Sequence, residues 1–68
     1  MKRYITLYHY LENLEMRQNI CIQNVNESVL YWGTVAGVPM CVISGRKVLE
    51  TRVADDGGIC ICVFDNAF

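Results

Sequence analysis

What the sequence lacks narrows its function before any motif is considered. Charge of one sign is missing: seven acidic residues face six basic ones, for a formal net charge of −1. No excess of lysine or arginine exists to hold a long nucleic acid or an anionic membrane surface. No stretch approaches the ~20 apolar residues of a membrane-spanning helix. Lys2 and Arg3 mimic the basic start of a secretory leader, but Tyr8, His9 and Tyr10 follow. Glu12 then interrupts before an apolar run can form, so no leader is expected. A cytoplasmic protein is expected, and cytoplasmic thiols stay reduced.

Motifs for catalysis are equally scarce. His9 is the single histidine, and no motif around Cys21 or Cys41 would pair either with it as an activated nucleophile. Cys60-x-Cys62 invites a metal reading, with Cys21, Cys41 or His9 completing the set. Residues two apart on a strand lie roughly 6.5–7 Å apart, an awkward spacing for one tetrahedral zinc. No Cys-x2-Cys pair is present, and four cysteines in 68 residues fall below the roughly 8–10% of disulfide scaffolds. The thiols are read as small, reduced, structural hydrophobes. Gly33-x-x-x-Gly37 lacks the Lys-Ser/Thr of a phosphate-cradling loop. Asp55 and Asp56 belong to a turn, where aspartate bonds its own backbone. No catalytic residue, metal or cofactor is expected.

What remains is an apolar chain: 53% hydrophobic and 19% charged, with 68 residues that fit a single domain over 1–68. A chain this short buries only about 60% of its unfolded surface. Small domains add disulfides, a metal or a partner chain to compensate. The first two are already disfavoured, so a homo-oligomer is expected.

Thr6 is a good helix N-cap. Leu7, Tyr10, Leu11 and Leu14 follow at i, i+3, i+4 and i+7, one apolar stripe, which predicts a helix over 7–16. Residues 19–24 and 28–35 are rich in β-branched and aromatic side chains and flank a polar turn around Val25-Asn26, a hairpin pattern. Residues 47–54 and 59–64 flank Asp55-Asp56-Gly57-Gly58, the strongest turn signal in the chain. Between the hairpins, Pro39 and Gly45 suit the two ends of one helical turn near 39–44; a plain loop fits nearly as well. The expected fold is α+β: one N-terminal helix packed on a four-stranded, mainly antiparallel sheet made of two hairpins.

A two-residue turn in the second hairpin groups Glu50 and Arg52 with Ile61 and Val63 on one face, and Leu49, Thr51 and Val53 with Cys60, Cys62 and Phe64 on the other. In the first hairpin it groups Ile20, Ile22, Val29 and Tyr31, against Cys21, Leu30 and Trp32. Both faces are then substantially apolar, and one short helix covers only one. The 36–46 segment, a ligand or a second copy could cover the other; a second copy is expected, with Ile61, Val63, Glu50 and Arg52 at the seam and Glu50 meeting the partner's Arg52 across a two-fold axis. The most ligand-like residues are Arg52, Arg46, Tyr31 and Trp32, since aromatics stack on bases and arginines fork onto phosphates. Tyr31 and Trp32 point to opposite faces of a strand, so at most one serves a given site. Core aromatics and a surface Glu50–Arg52 pair explain the same residues without a ligand.

The order of Leu7-Tyr8-x-Tyr10-Leu11, Ile20-x-Ile22, Tyr31-x-Gly33-x-Val35, Val38-Pro39, Val48 and Ile61 resembles a loose set of short phage and integrated-element proteins of Gram-positive bacteria. The resemblance spans most of the chain, rests on structural positions and carries over no catalytic residue. It implies a mobile-element origin and action in the host cytoplasm. By analogy with small phage inhibitors, the expected function is non-catalytic inhibition of host defence. The partner would be a host protein or a small anionic, nucleotide-type signal. A structural or interaction subunit with no ligand is the alternative, and a small metal- or thiol-dependent enzyme a distant third.

Overall fold

A threonine sets where the first element begins. In the computed structural model, which describes residues 4–64, Thr6 is extended and its Oγ1 accepts the His9 N–H at 3.2 Å. That satisfies one of the orphan donors at the start of α1, Leu7–Glu12. The helix stops four residues short of the expected 16. Asn13 turns its Nδ2 back onto the His9 carbonyl at 3.0 Å, and its N–H bonds Tyr10 O, three residues back. Asparagine competes with the helical ladder in this way.

The strands are β1 (Asn19–Asn24), β2 (Val29–Thr34), β3 (Val48–Val53) and β4 (Ile59–Val63). The segment joining β2 to β3 forms a 3-10 turn over Val35–Gly37 and a four-residue helix α2, Met40–Ile43, leaving through Gly45 at φ 71°. Pro39 precedes that helix as its N-cap.

The sheet order is β2-β1-β4-β3. Both expected hairpins form, as antiparallel pairs at the two sides. Their junction is parallel: β4 lies beside β1, with Ile20 against Ile59 and Ile22 against Ile61. The sheet is therefore mixed, because the β2–β3 connection crosses over the sheet and returns the second hairpin in the direction of the first. The chain before α1 is tied to that connection: Leu7 N–H bonds Arg46 O at 2.9 Å and Val48 N–H bonds Ile5 O at 2.8 Å.

Leu7 and Leu11 of α1, Val42 of α2, Ile20 and Ile22, Ile61 and Val63, and Val48 build one core. Both helices thus lie on the same side of the sheet. Tyr10 and Leu14, the rest of the expected stripe, pack at its margin.

The facing of the second hairpin is the reverse of the expected one. Ala54 N–H bonds Gly58 O at 2.7 Å, so the loop has three residues, with Gly57 at φ 89°. Asp56 Oδ1 accepts the Gly58 N–H at 2.8 Å. A left-handed glycine ending a three-residue loop is a standard hairpin closure. One extra loop residue exchanges every face. Thr51 now opposes Ile61, while Arg52 opposes Cys60 and Glu50 opposes Cys62. In the first hairpin, Glu27 takes the left-handed conformation at φ 66° and Asn24 Oδ1 holds the N–H groups of Asn26 and Ser28. This loop is also one residue longer than expected, but a bulge beyond Ile22 restores the register. Ile22 faces Tyr31 and Cys21 faces Trp32 as expected, while on the turn side of the bulge Leu30 packs on the core and Val29, opposite Gln23, is exposed, an exchange caused by the longer loop.

Thr6→Ala is expected to cost about 1 kcal/mol and Leu11→Ala about 2–5 kcal/mol, read from urea midpoints. A Leu11→Ala protein as stable as its parent would contradict the core described.

Candidate functional site

Strand alternation places the side chains that oppose the core residues on the outer face of the sheet. One row crosses all four strands: Trp32 on β2, Cys21 on β1, Cys60 on β4 and Arg52 on β3. Trp32 is 80% exposed, Arg52 is exposed, and both thiols are half-buried. With strands about 4.8 Å apart, the indole and the guanidinium stand on backbone positions about 14 Å apart. The next row carries Gln23, Cys62 and Glu50. Among the described residues, neither helix crosses this face.

The four ligand candidates divide between the two faces, with Tyr31 and Trp32 on opposite sides as expected. Tyr31 faces the core side, where its hydroxyl donates to Thr34 O at 2.7 Å. Arg46 lies in the α2–β3 link on the helix side; its Nη1 donates to Phe64 O at 3.4 Å. Trp32 and Arg52 share the outer face, at opposite edges. The expected seam also divides. Glu50 and Arg52 do lie on the outer face, but Ile61 and Val63 have no exposed surface and belong to the core. The three-residue loop is the reason, and these two isoleucine and valine side chains cannot meet a second chain there.

Tyr31 explains both glycines of Gly33-x-x-x-Gly37. A Cβ on Gly33 would stand 2.7 Å from the Tyr31 hydroxyl, and one on Gly37 2.6 Å from it. The pair makes room for the Tyr31 phenol at the end of β2.

Cys21 and Cys60 are in-register neighbours on β1 and β4. Burial, and then the neighbouring Cys60, push the Cys21 thiol above its ordinary range. Cys62 Sγ approaches Asn24 O at 3.7 Å. Cys41 is exposed on α2. Among the described residues no three of His, Cys, Asp or Glu gather as a metal cluster.

Two hollows adjoin these residues. One of about 130 Å³ sits beside the thiol row, lined by Asn19, Cys21, Trp32, Asp56 and Cys60 among others. The larger, about 480 Å³, opens on the helix side between Thr6, Tyr8, Met40, Ile43, Arg46 and Lys47. Of its lining only Arg46 was a candidate in the sequence. Tyr8, Met40 and Lys47 meet because the 5–7 segment pairs with 46–48, a contact across about 40 residues that no local pattern signals.

No protein-family model matches the chain, and no curated protein or solved structure matches it.

Two outcomes follow from this geometry. Gly37→Ala is expected to cost about 1–3 kcal/mol by overpacking, and much less in the Tyr31→Phe background, where the nearest remaining ring atom is Cζ at 3.7 Å. Additive costs in the double-mutant cycle would refute the contact. For Cys21, the folded chain holds the thiol proton more tightly than the unfolded chain does. Its contribution is present at neutral pH and is lost as pH rises above about 8.5. Denaturant titrations should show a shallower alkaline decline for Cys21→Ala than for the parent.

Proposed function

We propose that the chain is a small non-catalytic binding protein of phage or mobile-element type that self-associates through its outer sheet face and inhibits host defence by stoichiometric capture. The observation that carries the first part is the Trp32–Cys21–Cys60–Arg52 row on a face that neither helix crosses. A two-fold axis running along the strands above the β1–β4 seam sets Trp32 of each copy opposite Arg52 of the other. That contact is self-complementary, and an arginine over an indole is a favourable cation–π pair. It replaces the Glu50–Arg52 contact expected from sequence. The non-catalytic part draws support from the Cys21 thiol, which burial and the neighbouring Cys60 shift away from the thiolate.

For capture, the helix-side hollow favours the small anionic ligand over a host protein. Its volume lies within the usual range for ligand sites. Tyr8 offers a ring for a base, Met40 and Ile43 an apolar floor, and Lys47 with Arg46 the cations for a phosphate. A host protein bound at the same surface, and a subunit with no ligand, remain the competing readings. The mobile-element origin rests on the sequence resemblance alone.

Sedimentation of the parent at micromolar concentration should give a dimer. Trp32→Ala with Arg52→Glu should give a monomer with a midpoint within a few degrees of the parent. A monomeric parent would defeat the association reading. Native mass spectrometry of protein purified from its host should show a retained small mass that Lys47→Glu abolishes.

A further inference from the structure

The two thiols at the centre of the outer face take no part in the Trp32–Arg52 contact and lie apart from the helix-side hollow. Cys21 and Cys60 are in-register partners on adjacent parallel strands, β1 and β4. Their side chains emerge side by side on the same face. Neighbouring strands lie about 4.7–4.9 Å apart, inside the roughly 4.4–6.8 Å Cα separation that disulfides span. Cys62 is two residues along the same strand from Cys60, at about 6.5–7 Å, and faces Gln23 across the seam. Cys41 lies on α2, on the helix side of the sheet. Only one of the possible pairs is therefore built for closure.

We propose that Cys21 and Cys60 form a thiol-pair modification site that closes to a disulfide by exchange with a low-molecular-weight disulfide such as glutathione disulfide. One protein thiolate attacks a glutathione sulfur, making a mixed disulfide and expelling one glutathione thiolate. The second protein thiol gives up its proton, attacks the protein sulfur of the mixed disulfide and expels the second glutathione. Two protein thiols are oxidised to one S–S bond, and one glutathione disulfide is reduced to two glutathiones, which take up the two protons. The raised Cys21 thiol fits the resolving role, with Cys60 attacking first. In a reducing cytoplasm the pair stays open, and a rise in the disulfide pool closes it.

The bond would act at a particular place. The β1–β4 seam is the only strand pairing between the two hairpins among the described residues, so closure staples one hairpin to the other.

The pair lies on the face through which association is proposed. The test is therefore run on the Trp32→Ala, Arg52→Glu, Cys41→Ser protein, whose exposed cysteine and proposed contacts are both removed. Its failure then leaves the association result standing, and the reverse. Glutathione disulfide should lower the chain mass by two hydrogen atoms, with no glutathione retained and with peptides carrying Cys21 and Cys60 linked. The thermal midpoint should rise by about 5–10 °C and return on adding dithiothreitol. Cys21→Ser in the same background should stop at a glutathione adduct. Separate adducts on both cysteines, a Cys60–Cys62 link, or no reaction under conditions that fully modify Cys41 in the parent would overturn the proposal. The Cys41→Ser chain treated in parallel below its association range gives the same readout should the triple variant fold poorly.

Discussion

The parallel contact between β1 and β4 is the constraint on which the rest of the molecule depends. Ile22 beside Ile61, and Ile20 beside Ile59, join two hairpins that have no other strand pairing among the described residues. Ile20, Ile22 and Ile61 are at most 1% exposed. A parallel pair needs a long crossover, and the chain between β2 and β3 supplies it. That crossover carries Val42 into the core and delivers the backbone of 46–48 to the segment entering α1. Helix α1, six residues long, has little stability of its own. It stands because Leu7 and Leu11 rest on the isoleucines of this seam.

The same seam decides what the outer face contains. Once Ile61 is committed to the core, alternation sends Cys60 and Cys62 outward, and with them Arg52 and Glu50. Charged residues and thiols therefore share a surface, while the strongest hydrophobes of the second hairpin leave it. This surface is more mixed than a buried sheet face and more apolar than a solvated one, with an 80% exposed indole at its edge. Such composition suits a contact between folded protomers, where aromatics and arginine are enriched.

Much of the fold was legible because it is written locally. The Thr6 cap, the Leu7–Leu11 spacing, both hairpins and the short turn near Met40 come from contacts within a few residues. The facing of the second hairpin was misread because Asp55-Asp56-Gly57-Gly58 allows glycine at either of two left-handed positions. The choice between a two- and a three-residue loop is worth little energy locally, yet it exchanges two whole faces. The parallel junction was not readable at all, since strand order depends on which hydrophobic surfaces meet across 39 residues. The candidate site suffered from both: Ile61 and Val63 moved with the loop, and Tyr31 and Arg46 were drawn away by partners at Thr34 O and Phe64 O. Trp32 kept the face of Cys21 because the bulge in the first hairpin cancelled the longer turn there.

The strand order also sets a timetable. β4 follows every other described strand in the chain, yet it takes an interior place in the sheet. As the chain is synthesised, β1, β2, both helices and β3 emerge before the strand that holds them together. Until Ile61 and Val63 arrive, β1 has an open edge and Leu7 and Leu11 lack part of the core they pack in. Pairing that closes only at long sequence separation is slow, and open edges of this kind recruit strands from other molecules. The nascent protein is thus at its most adhesive just before its last described strand is released. A sequence this apolar then relies on rapid insertion of one five-residue strand to escape aggregation.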